Sequence, residues 1–260
     1  MASNVNGWYD FAEMEFADDE KLMYRQHKYL WEKLVEAGLL ETSGHESTVA
    51  PTIYDVGANR GQSVNEYCLL FPTSEIHAFE PNKDLNPYLD SVRESYPNNL
   101  IKILNIGLGD KAEERPFNIY ADDGVSSFLR AEAFLKDLNS LSWQFKSDNS
   151  VRLVTLDQYV ADQSRFPDIF KIDVQGFDLS VLRGGVKLLR SGRVSIIGIE
   201  VLFARNYEGQ DYFWDIANFL FENGYHFFDF PRLVNTTRGN MYFGDATFLS
   251  SQAWDLLEFL

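Results

Sequence analysis

Apolar and polar positions repeat with two different periods along this chain of 260 residues. Up to about Thr48 the period is helical. Met23, His27, Leu30, Trp31, Leu34, Val35 and Leu39 fall on one face, and Gly38 and Gly44 loosen the end. From Thr52 onward, short apolar runs alternate with amphipathic stretches. Thr52–Val56, Glu75–Phe79, Leu100–Ile106, Ile169–Val174 and Val194–Val201 read as strands. Gln62–Phe71, Asn82–Tyr96, Ser180–Leu189 and Tyr212–Phe221 read as helices, with Pro87 near a helix start. Phe117–Tyr120 and Val151–Val154 read as shorter strands around a polar, irregular stretch. Tyr225–Phe230 and Met241–Leu249 follow with no helix between them. Strands that alternate with helices imply βαβ units and a mostly parallel sheet. The last two strands are expected as an antiparallel pair at its edge. Two parts result: an N-terminal helical extension over 1–48 and an α/β domain over 49–260. Packing on that domain is the simplest reading of the extension.

Composition narrows the partners. Hydrophobic residues make up 45% of the chain, enough for a sizeable core, and the net charge is -16. A polyanion is an unsuitable partner, because nucleic-acid affinity rests on clustered Lys and Arg. An anionic membrane surface is disfavoured on the same ground. The single cysteine, Cys68, excludes an internal disulfide and a cysteine-based metal site. No signal peptide is visible and no stretch approaches the roughly 18–20 apolar residues of a membrane span. A cytoplasmic protein is expected; the oligomeric state is not readable.

The most informative segment is Tyr54-Asp55-Val56-Gly57-Ala58-Asn59-Arg60-Gly61-Gln62. It follows a β-branched strand and opens a helix, the context in which a glycine loop means nucleotide binding. Gly57 permits a tight turn off the strand, and Gly61 a close helix start. Asn59 stands where dinucleotide loops carry glycine, and asparagine tolerates left-handed backbone. Asp55 is unwelcome beside a pyrophosphate. It suits a cationic amino-acid group such as that of S-adenosylmethionine, which carries an ammonium, a sulfonium and no phosphate. Glu80, in Phe79-Glu80-Pro81-Asn82, lies about 20 residues past the loop, the spacing expected of a ribose-binding carboxylate.

Three further motifs complete a resemblance. They are Asn105-Ile106-Gly107-Leu108-Gly109-Asp110, Ser126-Ser127, and Lys171-Ile172-Asp173-Val174-Gln175-Gly176 followed by Val181-Leu182-Arg183-Gly184. In this order, with the loop and Glu80, they resemble the FkbM family of methyltransferases over roughly Thr52 to Leu249. The resemblance implies a Rossmann-like class I methyltransferase fold with a seven-stranded, mostly parallel sheet and an antiparallel edge strand. It implies S-adenosylmethionine as donor and usually O-methylation of a sugar or other hydroxyl. Carried over, Asp55, Gly57, Asn59 and Gly61 surround the donor's amino-acid part, with Ala58 in the same loop. Glu80 takes the ribose, with Pro81 beside it. Asn105 and Ile106 border the adenine, and Asp173 faces the methionyl part and the acceptor. The family often has Glu after Lys-Ile-Asp-Val, where this chain has Gln175. Asp178, three residues on, is expected to compensate in part. The stretch Ala121–Ser150 is the expected seat of acceptor specificity.

Methyl transfer to a hydroxyl needs positioning and a base. Asp173 and Glu200 fall at the carboxyl ends of strands, where ligands of open α/β sheets bind. Asp173 is the first choice for base or acceptor-orienting group and Glu200 the second. His27, His77 and His226 read as packed histidines, and no metal site is evident. Two rivals remain at this stage. An NAD-dependent oxidoreductase fits the loop and Glu80 superficially, and a non-catalytic methyltransferase-like binding domain draws its support from Gln175.

Overall fold

In the computed structural model, the described residues are 21–39, 50–133, 135, 141–235 and 241–258. The expectation for Gly44, and most of the 1–48 extension, lies outside them.

The strands are short and apolar on both sides, which commits them to the middle of a layered structure. The chain begins with α1 (Leu22–Glu36), then β1 (Thr52–Val56), α2 (Gln62–Leu70), β2 (Glu75–Phe79), α3 (Asn86–Ser95) and β3 (Leu100–Leu104). A small second sheet follows from β4 (Gly107–Leu108), β5 (Glu113–Tyr120) and β6 (Phe145–Val154). The main fold resumes with α4 (Leu156–Ala161), β7 (Ile169–Ile172), α5 (Asp178–Arg183), α6 (Val186–Arg190), β8 (Ile196–Leu202) and α7 (Phe213–Glu222). It closes with β9 (Tyr225–Asn235), β10 (Met241–Ser250) and α8 (Ser251–Glu258).

The main sheet has seven strands in the order β3-β2-β1-β7-β8-β10-β9. The first five pair in parallel, and β10 runs antiparallel to both β8 and β9. The antiparallel pair therefore stands at the edge as expected, and its reversed member is the inner strand. The direct link from β9 to β10 explains this, since a hairpin must reverse the chain.

Alternation along the strands splits the core into two. Tyr54, Val56, Phe170, Ile172, Ile197 and Ile199 pack under α4, α5, α6 and α7. Ile53, Ile76, Ile169, Ile196 and Leu249 pack under α1, α2, α3 and α8. Leu30, Trp31 and Leu34 bury α1 against this second face, each worth about 1.5–3 kcal/mol relative to exposure. Gln26 pins the helix: its amide donates to Asp229 at 3.1 Å and accepts from Thr247 at 2.6 Å. His27 fits over Gly198, where a Cβ would collide with its ring, and burial pushes its pKa down to about 3.

Two elements differ from the sequence reading. The helix expected over Ser180–Leu189 is split into α5 and α6 at Gly184-Gly185. The split has a packing cause, because Gly184 approaches the Gly109 carbonyl too closely for any side chain. The polar stretch after β3 forms the second sheet, whose β5–β6 pairing has exposed faces and so little apolar periodicity to read. Among the described residues, no helix is long and apolar enough to cross a membrane.

Candidate active site

On the α1 side, the sheet changes character toward the carboxyl ends of the parallel strands. In β1, Ile53 gives way to Asp55; past β7, Ile169 gives way to Lys171 and then Asp173. In β8, Ile196 is followed by Gly198 and Glu200, and Asp245 of β10 stands opposite Glu200. These alternating positions share one face. Lys171, Asp173, Glu200 and Asp245 among them form the polar floor of a cavity of about 710 Å³, whose lining also includes Gly57–Arg60 and Glu80.

One wall is backbone. Gly57, Asn59 and Gly61 all have left-handed φ, at 82°, 48° and 85°. Gly57 cannot be replaced freely, because a Cβ there would run into the Asp173 carbonyl oxygen. The Gly57 and Ala58 amides donate to the Phe79 carbonyl at 3.0 and 3.1 Å, tying the loop to the end of β2. The next residue is Glu80. Its carboxylate accepts from the Asn59 amide and the Asn82 amide, both at 2.8 Å. Burial pushes the Glu80 pKa up to about 7, partly offset by those two bonds. Pro81 lines the same wall.

The opposite floor is side chains. Lys171 is buried and sits 3.2 Å from Asp55 and 3.4 Å from Asp173. Burial alone would lower its pKa, but these carboxylates hold it well above the usual lysine value. The Gln175 amide nitrogen donates to Asp173 Oδ1 at 2.8 Å and to Glu200 Oε2 at 2.7 Å. The Tyr207 hydroxyl lies within reach of Gln175 Oε1 (3.1 Å) and the Val125 carbonyl (2.9 Å). Burial, reinforced by the charges of Asp173, Asp245 and Asp178, pushes Glu200 well above the ordinary carboxylate range.

The residues singled out in the sequence divide into two groups. Gly57, Ala58, Asn59, Glu80, Pro81, Asp173 and Glu200 line the cavity. Asp55 does not. The register sets it directly opposite Lys171 on the adjacent strand, and its carboxylate is taken up by Lys171 and the Ser63 hydroxyl. Gly61 sits behind the loop at the start of α2, against Leu89 and Val92. Asn105 and Ile106 are not in the lining either. The Asn105 amide donates to the Glu80 carbonyl at 3.1 Å and to Asn86, which braces the strand end from outside. Asp178 also turns away: its carboxylate accepts from the Val174 and Gly176 amides and shapes the loop after β7. Among the histidines, His77 bonds Glu75 and Tyr159 in the core, and His226 bonds Ser251.

Several lining residues escaped the sequence reading. Met23 and Tyr24 come from α1, and Arg232 and Asp245 from the antiparallel pair. Asp122, Asp123, Leu141 and Ser142, which also reach the rim, come from the stretch Ala121–Ser150 that the sequence reading named for acceptor specificity. Arg60 closes this rim, bonding Asp123 at 2.6 Å while its guanidinium lies 4.7 Å from the Tyr88 ring centre. The change from apolar to charged at alternate strand positions was the available signal for Asp245. Nothing local marks Tyr24. No group of three or more potential metal ligands occurs among the described residues.

Comparison with known proteins agrees with this architecture. The methyltransferase FkbM domain matches the chain over residues 55–227. The crystal structure of methyltransferase FkbM from Methylobacillus flagellatus KT superposes with a TM-score of 0.50 at 14% identity, covering 80% of this chain. The chain spans 45% of that protein's length. Precorrin-6y C5,15-methyltransferase from Geobacter metallireducens GS-15 gives a TM-score of 0.45 at 15% identity, covering 92% of this chain and 96% of the other. Magnesium protoporphyrin IX methyltransferase from Synechocystis PCC 6803, solved with bound SAM, gives 0.45 at 9% identity, covering 91% and 87%. No curated protein sequence matches the chain.

Proposed function

The chain belongs to the methyltransferase FkbM domain family, and on that premise we propose that its cavity binds S-adenosylmethionine and directs the methyl group to a hydroxyl of an uncharged acceptor, a sugar, a glycan or a related small molecule. The observation that carries this reading is the charge of the cavity. Its lining brings together Glu80, Asp122, Asp123, Asp173, Glu200 and Asp245. The cations there are Arg60, Lys171 and Arg232, and each is ion-paired with a carboxylate. A dinucleotide would bring two phosphate charges against this wall. The methyl donor brings a sulfonium and an ammonium with a single carboxylate and no phosphate, which suits an acidic lining better.

The residues fit that donor in two further respects. The left-handed loop presents bare backbone at Gly57, so a ligand can approach the end of β1 closely. Glu80 has spent each carboxylate oxygen on one backbone amide and keeps further lone pairs for ribose hydroxyls. We assign Gly57–Asn59 and Asp173 to the donor's amino-acid part and Glu80 to its ribose. Asp55, Gly61 and Asn105 support these residues from behind. The bound donor supplies a methyl group already activated on a sulfonium.

The acceptor side follows from the two carboxylates. Asp173 is engaged by Lys171 at 3.4 Å, which suits it to orienting rather than to taking a proton. Burial raises the Glu200 pKa, the direction that makes a carboxylate a stronger base once it is ionised. On this reading Glu200 takes the proton that the acceptor hydroxyl loses, and Asp173 orients. Tyr24 and the rim residues Asp122, Asp123, Leu141 and Ser142 cover the acceptor end. We take residues 49–260 as the transferring unit and 1–48 as an extension whose helix roofs the cavity.

Transfer of labelled methyl from the donor to a panel of neutral, anionic and amine-bearing hydroxyl compounds tests this. The expected result is label on neutral hydroxyl compounds, lost in Glu200→Gln. Label found on phosphorylated or carboxylated compounds alone overturns the acceptor assignment.

A further inference from the structure

Among the described residues, the side chain of Gln175 touches both candidate acceptor-side carboxylates. Its amide has two N–H groups and one oxygen, and each finds a partner: Asp173, Glu200 and the Tyr207 hydroxyl. The orientation of the amide is dictated by chemistry, because an oxygen turned the other way would face two carboxylates. The backbone is shaped to deliver it. Gln175 sits at φ 56°, left-handed, and the following Gly176 at φ 84°. Holding a non-glycine residue there costs on the order of 1–2 kcal/mol. The loop is fixed from three sides, by Asp178 on the Val174 and Gly176 amides, by Ser127 Oγ on the Gln175 carbonyl at 2.8 Å, and by Tyr207. Strain that the surroundings over-determine in this way is characteristic of functional sites.

We propose that Gln175 is a positioning residue: its amide clamps Asp173 and Glu200 into one hydrogen-bonded pair at the acceptor end of the cavity, fixing their geometry and charge for the transfer. This rests on the methyl-transfer reading above. The clamp engages Oδ1 of Asp173 and Oε2 of Glu200. It also explains the residue type. A glutamate at 175 would set a third carboxylate beside two others, with no donor to join them. The amide does the reverse, stabilising the ionised form of each carboxylate by donating to it. The other ionisable groups acting on Glu200 are Lys171, Asp178, Asp245, Tyr207 and Tyr242, with Arg232 beside Asp245. Among these, Lys171 is already engaged by Asp55 and Asp173.

The test uses the full chain with Gln175→Gly and Gln175→Glu. Glycine suits the left-handed backbone, so the first variant removes the amide without straining the fold. Carbon-13 NMR of the Asp173 and Glu200 carboxyl groups is followed against pH, and S-adenosylhomocysteine binding is measured in parallel. The proposal expects the Glu200 midpoint to rise by roughly 1 pH unit in Gln175→Gly and further in Gln175→Glu. Retained S-adenosylhomocysteine binding in Gln175→Gly shows that the variant still forms the donor site. Unchanged midpoints in both variants overturn the proposal and leave the methyl-transfer reading standing. Failure of the wild-type protein to bind S-adenosylhomocysteine overturns that reading itself, and the role of the clamp with it.

Discussion

The two walls of the cavity are built on different principles. The wall around Gly57–Asn59 and Glu80 is main chain held by main chain. The Gly57 and Ala58 amides bond the Phe79 carbonyl, and Glu80 bonds the amides of Asn59 and Asn82. The floor around Asp173, Gln175, Glu200 and Asp245 is side chains from β8, β10 and the loop after β7, joined by an amide and a buried lysine. A backbone wall tolerates changes of side chain and fails when φ is forbidden. A side-chain floor tolerates backbone adjustment and fails when one donor or charge is removed. An invariant donor suits the first and a variable acceptor the second.

The largest effect should come from forcing the backbone wall. Gly57→Ala meets the Asp173 carbonyl and places a side chain at φ 82°. It should cost about 2–5 kcal/mol of stability by combined strain and overpacking and abolish donor binding, as read by thermal denaturation and calorimetry. Wild-type stability and affinity in this variant would break the distinction between the two walls.

Next comes Glu80→Ala. Losing hydrogen bonds to a charged group should weaken S-adenosylhomocysteine by about 1.5–3 kcal/mol, roughly 10- to 150-fold in Kd. A change under threefold would remove Glu80 from the donor site.

The same carboxylate gives a pH dependence. Its pKa is about 7 in the free protein, so it is mostly protonated at pH 6 and ionised at pH 8. If the ionised form binds ribose, donor affinity rises with pH through this range, by about tenfold between these limits. A flat profile would show that its ionisation is not coupled to binding.

The smallest effect is expected at Asn59. Its φ is 48°, and what it gives Glu80 is a backbone amide rather than a side chain. Asn59→Gly should keep donor affinity and shift stability by no more than about 1 kcal/mol. A large loss would show that the Asn59 side chain, which bonds the Arg60 amide, carries more of the loop than its main chain does.

The difference between the walls also explains what the sequence revealed. The backbone wall is local: one strand, three residues with left-handed φ and a glutamate at the next strand's end are all contiguous motifs. Gly57, Asn59 and Glu80 were therefore readable directly. Asp55 was readable as a motif residue and misleading as a ligand contact, because only the β1–β7 register sets it opposite Lys171. Asn105 was likewise a motif residue whose task is bracing, which the chain order alone does not distinguish from lining. The floor is non-local. Tyr24 reaches it because α1 packs across β8 and β10, more than 170 positions later in the sequence. The second sheet was read only in part, through Phe117–Tyr120 and Val151–Val154, since the rest of β6 alternates poorly and is exposed.

The central claim is that this acidic cavity takes the phosphate-free, ammonium-bearing frame of the methyl donor and refuses a dinucleotide. Calorimetric titration of the purified chain with S-adenosylhomocysteine and, separately, with NAD tests it directly. Binding of S-adenosylhomocysteine at micromolar concentration, with no heat from NAD and roughly 10- to 150-fold weaker binding in Glu80→Ala, is the predicted result. Binding of NAD with none of S-adenosylhomocysteine would contradict the account.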